Sequence, residues 1–303
     1  MGKIIVTGAA GNLGRETVNA LLRLAGPEDV VGLVREPGKA ADLVAKGVEV
    51  RQGDYADYAS LVRAFEGMEK VMLVGAPAFT DRNALHFNVI TAAHQAGIKH
   101  IVYTAVVRHP HSGFALPQAT EPDLFTEQML RASGLDYTIV RQPPFLDTLA
   151  ITFGDRAFDL GIRVPEGDGQ VGALTRADIG EAQAVVLTSS GHEGKDYTLL
   201  NPEQVSFADI AAILGELRRG AVSYRAVDDA DYVQNWVAEG VPAPLGEFAL
   251  AWAKGVAGGE WGFQTGDIEA LLGRKPTSIT DWLKANYQEP MPVLEPLKVL
   301  REA

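Results

Sequence analysis

The sequence has no cysteine, which removes disulfides, a thiolate nucleophile and Cys-ligated zinc or iron–sulfur clusters. No apolar run reaches the ~18 residues that a membrane-spanning helix needs. Basic residues are in deficit, 27 Lys and Arg against 39 Asp and Glu, giving a formal charge of −12. Such a chain repels a phosphate backbone, so sequence-independent nucleic-acid binding is not expected. The start, Met1-Gly2-Lys3-Ile4-Ile5-Val6, does not read as a signal peptide. Internal repeats, low-complexity tracts, and P-loop, G-x-S-x-G and H-E-x-x-H motifs are missing as well. The expectation is a soluble, cytoplasmic α/β protein, monomeric or homodimeric. At 47% hydrophobic it has ample material for a core.

Strand-like and helix-like segments alternate from the first residue. Lys3–Thr7, Val30–Val34, Val48–Arg51, Lys70–Val74, Ile101–Thr104 and Tyr137–Val140 read as short buried strands. Between them lie helical patterns: Leu13 to Ala25, Ser60–Phe65, Asn83–Gln95 and Thr126–Ala132. The alternation implies βαβ units in a doubly wound parallel sheet of the Rossmann type. After Arg141 the pattern loosens. Gly161–Gly172 reads as loop with an irregular strand, Asp178–Leu187, Phe207–Leu217 and Tyr232–Ala238 as helices, and Val222–Val227 as a strand. The expected division is a dinucleotide-binding domain over 1–150, a smaller α/β region over 151–287 that covers the substrate and interweaves with it, and a tail over 288–303.

The strongest motif is Thr7-Gly8-Ala9-Ala10-Gly11-Asn12-Leu13-Gly14, set between a strand and a helix. Gly8 permits the tight turn, Gly11 lets backbone approach a pyrophosphate, and Gly14 lets the helix pack close to the sheet. The helix N-terminus offers free N–H groups and a positive dipole end to phosphates. Arg35 follows the second strand, where an acid would suit the ribose 2′-hydroxyl of NAD and an arginine suits a 2′-phosphate. NADPH is therefore the expected cofactor, with NADH also accepted.

These residues, with Leu33-Val34-Arg35, Val48 to Tyr55, Ala96 to Thr104 and Tyr137 to Arg141, resemble the NmrA-like family of atypical short-chain dehydrogenase/reductases. The likeness is to the branch of triphenylmethane reductases and type-2 NADPH:quinone oxidoreductases. Weaker matches at Thr175 to Gly180 and Gly273 to Ser278 extend it over roughly residues 1–287. The resemblance implies that Asp54 and Tyr55 lie beside the adenine, and that Gly75, Ala76 and Pro77 line the ribose and nicotinamide. It implies that Tyr103 and Thr104 border the reacting ring, with Pro143, Pro144 and Phe145 as the pocket floor.

Short-chain dehydrogenases usually use a Tyr with a Lys four residues later as the proton-exchanging pair. None of the eight tyrosines here has that lysine. Some NmrA-like relatives carry a Lys four residues before a helical Glu; here that Glu is Glu127 and position 123 is Asp. Without a base, alcohol oxidation is disfavoured, and hydride transfer to a quinone, azo group or cationic dye is easier, since positioning supplies most of the catalysis. Neither flavin nor metal is expected. Candidate proton donors are His109, His111 and Tyr103. Phe114, Phe145, Phe153 and Trp236 are candidates for an aromatic wall. The competing readings are a non-catalytic dinucleotide-sensing regulator and a sugar-nucleotide epimerase, the latter disfavoured because it too needs the Tyr–Lys pair.

Overall fold

The computed structural model describes residues 2–154 and 156–287. Nine strands are used below: β1 Ile4–Thr7, β2 Val30–Val34, β3 Glu49–Gln52, β4 Lys70–Leu73, β5 His100–Val106, β6 Asp136–Gln142, β7 Ile162–Val164, β8 Lys195–Thr198 and β9 Tyr224–Ala226. β1 and β2 are buried throughout, as expected of parallel strands covered on both faces, and read as continuous apolar runs. They belong to a seven-stranded sheet of order β3-β2-β1-β4-β5-β6-β8, parallel at every pairing. In register, Ile4 faces Val30 on one side and Lys70 on the other. Strand order reverses between β1 and β4, and the carboxyl ends of strands at such a switch point are where open α/β sheets bind ligands.

One face of the sheet packs against the helices Asn12–Leu24 and Arg176–Thr188 around Val6, Val18, Leu21 and Ile179. A Cβ at Gly180 would lie 2.7 Å from the Glu16 carbonyl carbon, so these two helices touch backbone to backbone. The opposite face buries Leu61, Phe65, Val89, Ile90 and Leu130 from the helices Tyr58–Phe65, Arg82–Gln95 and Thr120–Ala132. The last of these begins six residues earlier than the sequence pattern predicts. Pro122 sits in its first turn, where a missing N–H costs no intrahelical bond.

The expected boundary at residue 150 does not follow the sheet. β8 pairs with β6 at Thr138–Lys195, and the helix Arg176–Thr188 covers the first helix, so chain beyond 150 completes the Rossmann unit. β8 was not legible because it is a polar edge strand of sequence KDYT, with Lys195 and Asp196 exposed and Tyr197 and Thr198 only partly buried. The remaining segments form a cap with its own core, centred on Phe207, Leu214, Trp236, Trp261 and Tyr287. It holds the β7–β9 pair and the helices Phe207–Arg218, Asp229–Ala238, Ala243–Ala257 and Ile279–Asn286. The proposed 288–303 tail lies outside the described residues. Among those described, no helix is long and apolar enough to cross a membrane.

Candidate functional site

The glycine loop does what its spacing implies. Gly8 has φ +61°, a region that favours glycine, and accepts a hydrogen bond from the Gly11 N–H at 2.8 Å. A Cβ on Gly14 would fall 2.3 Å from the Gly8 carbonyl oxygen, so any side chain would push the helix off the strand. The first turn of this helix carries no acid, and Gly11 provides no side-chain cap. Its N–H groups are left for an anion. Gly8, Gly11, Arg35, Asp54 and Tyr55 line a cavity of about 420 Å³.

Within it, Arg35 is exposed and its guanidinium has no hydrogen bond or ion pair among the described residues. Neighbouring Glu36 and Lys39 pair with each other at 2.8 Å, which leaves Arg35 as the net charge. Asp54 holds the turn after β3: its Oδ1 accepts from the Ala56 N–H at 2.9 Å, and its own N–H donates to Ser60 Oγ at 3.0 Å. Tyr55 donates to the Val74 carbonyl at 2.8 Å, and burial pushes its pKa up, so it stays a neutral phenol.

Gly75, Ala76 and Pro77 line this cavity and a second one of about 580 Å³, so a single cleft crosses the switch point. Two side chains hold that shared bend. Thr104 Oγ1 accepts from the Gly75 N–H at 2.8 Å, and His86 Nε2 accepts from the Ala76 N–H at 2.8 Å. His86 Nδ1 lies 2.8 Å from Thr126 Oγ1, whose own hydrogen goes to the Pro122 carbonyl. His86 is therefore the neutral tautomer with hydrogen on Nδ1. Burial, and then Arg82, lowers its pKa to about 3.

The second cavity is mainly apolar and is also lined by Asn12, Leu13, Thr104, Pro143, Pro144 and Phe145. All the expected cofactor residues thus meet along the cleft except Gly14, whose role is packing. Pro144 and Phe145 form part of the expected floor. The cap contributes Phe248 and Trp252, which the sequence reading missed. Phe79, on the loop after β4 with φ +63°, meets Phe248 edge-on at 5.3 Å. Phe248 in turn meets Trp252 at 6.2 Å, and Trp252 stacks on Trp261 at 5.2 Å. An aromatic series therefore spans the cleft from sheet to cap.

Two arginines also line this cavity. Arg82 donates to Asp123 Oδ1 at 2.6 Å, with both side chains buried. Asp123 further accepts from the Tyr103 hydroxyl at 2.8 Å and the Val106 N–H at 2.7 Å. Burial raises the Asp123 pKa against the pull of Arg82. Asp123 is thus an acid with its cation supplied from the preceding helix. Arg176 lies with its guanidinium 4.2 Å from the Phe145 ring centroid and its Nη1 against Asp147. Burial lowers its pKa to about 10, so it stays charged at neutral pH.

Several expected site residues lie elsewhere. Tyr103 is fully buried beneath the cleft, bonded to Asp123, and burial raises its pKa well above the usual phenol value. Its side chain points to the helix face of the sheet because alternate residues of a strand face opposite sides, which leaves Thr104 at the cleft. Trp236 belongs to the cap core against Tyr232, 6.4 Å between rings. Phe114 packs edge-on to Trp261 at 6.1 Å and does not line the cleft. Phe153 packs with Tyr287 in the same cap core. His109 is turned to the cap, its ring 4.9 Å from Phe263 and its N–H on Glu260 at 2.7 Å. His111 is exposed and donates its N–H to His109 Nδ1. None of these rings, those of His109, His111 and Tyr103 included, lines either cavity of the cleft. Among the described residues, no group of three or more His, Asp or Glu is placed to hold a metal.

Comparison with known proteins agrees with this geometry. The NAD(P)H-binding family profile matches residues 8–190. Quinone oxidoreductase 2 of Escherichia coli is 32% identical over 279 residues, 92% of this chain and 96% of that protein. The NAD(P)H azoreductase of Xenophilus azovorans is 29% identical over 290 residues, covering 93% of this chain and 97% of the relative. Among solved structures, Citrobacter sp. triphenylmethane reductase complexed with NADP(H) superposes with a TM-score of 0.86 at 31% identity, covering 93% of this chain and 99% of that one. The uncapped glycine helix, the Arg35 strand end and the profile match over the same residues lead to one assignment: the chain belongs to the NAD(P)H-binding family.

Proposed function

We propose that this protein is a flavin-free, NADPH-dependent reductase that passes hydride to an electron-poor aromatic acceptor such as a quinone, azo compound or triphenylmethane dye. The observation that carries the reading is the continuous cleft, a glycine-loop nucleotide cavity opening past Gly75–Pro77 into an aromatic-walled apolar cavity. The activities of the relatives, quinone oxidoreductase and azoreductase, support it. In this reading Gly8, Gly11, Asn12 and Leu13 hold the pyrophosphate, and Arg35 the 2′-phosphate. Asp54 and Tyr55 flank the adenine, while Gly75–Pro77, Thr104 and Pro143 surround the nicotinamide. When bound, the cofactor supplies the hydride. The chain itself orients a flat acceptor against Pro144, Phe145, Phe248 and Trp252, and its apolar lining excludes water from the reacting face. The proton that completes reduction comes from solvent, since no donor among the candidate side chains reaches the cleft. The same reading places the protein in the cytoplasm, where NADPH is supplied, as a monomer or homodimer.

Following NADPH absorbance without added flavin, against a panel of quinones, azo dyes and triphenylmethane dyes, should show turnover with at least one class. Tight NADPH binding with no turnover on any of them would sink the reductase reading in favour of a dinucleotide-sensing regulator.

A further inference from the structure

The acceptor end of the cleft has an unusual charge. In a chain of formal charge −12, the larger cavity is lined by Arg82 and Arg176 and by no acidic residue. The two arginines are not equivalent. Arg82 is committed: Nη2 is on buried Asp123 and Nη1 donates to the Gln118 carbonyl at 2.9 Å. Arg176 meets Asp147 through Nη1 alone, and that carboxylate is one-third exposed at 33%. The other N–H groups of Arg176 have no acceptor among the described residues, although its side chain is only 14% exposed. The guanidinium carbon lies over the Phe145 ring, 4.2 Å from its centroid, and Phe145 itself lines the same cavity.

Resting on the reductase reading, we propose that Arg176 sets the charge class of the acceptor, by receiving an oxyanion that the acceptor either carries or acquires on reduction. Adding hydride, one proton with two electrons, to a neutral quinone leaves a hydroquinone monoanion, which then takes one proton from water. Adding the same hydride to a triarylmethyl cation forms a C–H bond and leaves a neutral product. A buried guanidinium stabilises the first product and opposes entry of the second substrate. The cavity is thus matched to quinone-type acceptors over cationic dyes.

The test is equilibrium binding by titration calorimetry to protein saturated with NADP⁺, where no hydride is available. The probes are 2-hydroxy-1,4-naphthoquinone, an anion at neutral pH, neutral 1,4-naphthoquinone, and the cation crystal violet. Arg176→Gln should weaken the anion by about tenfold or more, the scale of one charge-assisted hydrogen bond. It should leave crystal violet unchanged or tighter and keep NADP⁺ affinity intact. Arg176→Lys should recover part of the anion binding. Equal losses for all three probes, an unchanged anion affinity, or a lost NADP⁺ affinity would overturn the assignment. If Arg176→Gln does not fold, Asp147→Asn decides: releasing the guanidinium should tighten the anion a few-fold, and no tightening overturns the proposal. These affinities judge Arg176 whatever the turnover panel returns, so the two readings fail separately.

Discussion

At the scale of single residues, the site depends on a histidine that takes no part in the chemistry. His86 accepts the Ala76 N–H and donates to Thr126, pinning the bend shared by both halves of the cleft. Its folded pKa, about 3, lies far below the ordinary value of 6.5. As pH falls below about 6.5 the unfolded chain binds a proton that the folded chain refuses, so stability falls with pH down to about 3. Between pH 6.5 and 4 this amounts to about 2–3 kcal/mol at most. His86→Gln should cost about 1–3 kcal/mol at pH 7 through disturbed buried hydrogen bonds. The urea-denaturation curves of variant and parent should then converge as the pH drops. A stability difference independent of pH would show that His86 is not the group responsible. His100, also lowered by burial, keeps a residual slope in both proteins.

Among the elements, β8 is the least self-sufficient, being short, polar and at the edge of the seven-stranded sheet. Ion pairs anchor it. Glu127, on the helix Thr120–Ala132, accepts from Arg108 at 2.7 Å and from Arg141 at 3.0 and 2.7 Å. Arg141 and Arg131 both reach Asp196 of β8, at 2.8 and 2.6 Å. The Glu127 side chain is 7% exposed, so its removal strands nearby positive charge in a poorly solvated place. Glu127→Ala should lower unfolding free energy by about 3 kcal/mol, the low end for a broken buried pair, because Arg108 and Arg141 keep some access to water. Glu127→Gln, which keeps one acceptor oxygen for these arginines, should lose less. A variant whose urea midpoint matches the parent's would show the network to be energetically idle.

For the molecule as a whole, sheet and cap have separate cores and meet across the cleft, so a cofactor bound there should stabilise the assembly by mass action. NADPH at a hundred times its dissociation constant contributes about 2.7 kcal/mol, or roughly 5 °C in Tm at about 2 °C per kcal/mol. Arg35→Ala should weaken NADPH by tenfold to a hundredfold, the equivalent of about 1.5–3 kcal/mol. Most of the NADPH-induced shift at that concentration should disappear at the upper end, while the smaller NADH shift stays. Thermal unfolding with each nucleotide measures this directly. Parallel losses for both cofactors would take Arg35 away from the 2′-phosphate.

What the chain alone determines is whatever short-range physics controls. Strands buried on both faces are contiguous apolar runs, and the glycine loop needs only Gly8 for its turn and Gly14 for close packing. The doubly wound parallel sheet and the glycine loop were therefore legible, whereas Asp54 and Gly75 were expected from the family resemblance alone; both line one cavity with Arg35. β8 was not legible, because an edge strand of charged residues carries no hydrophobic period. Nor was the helix Ala243–Ala257, which supplies Phe248 and Trp252 and is too apolar around its circumference for one face to stand out. Tyr103 and Thr104 are adjacent in sequence, yet only the pleat and register of β5 decide that Thr104 meets the cleft while Tyr103 is bonded to Asp123 beneath it. Arg176 lines the second, apolar cavity from a helix that Gly180 lets lie against the first one. That placement is a property of tertiary packing between distant segments, for which no local pattern exists.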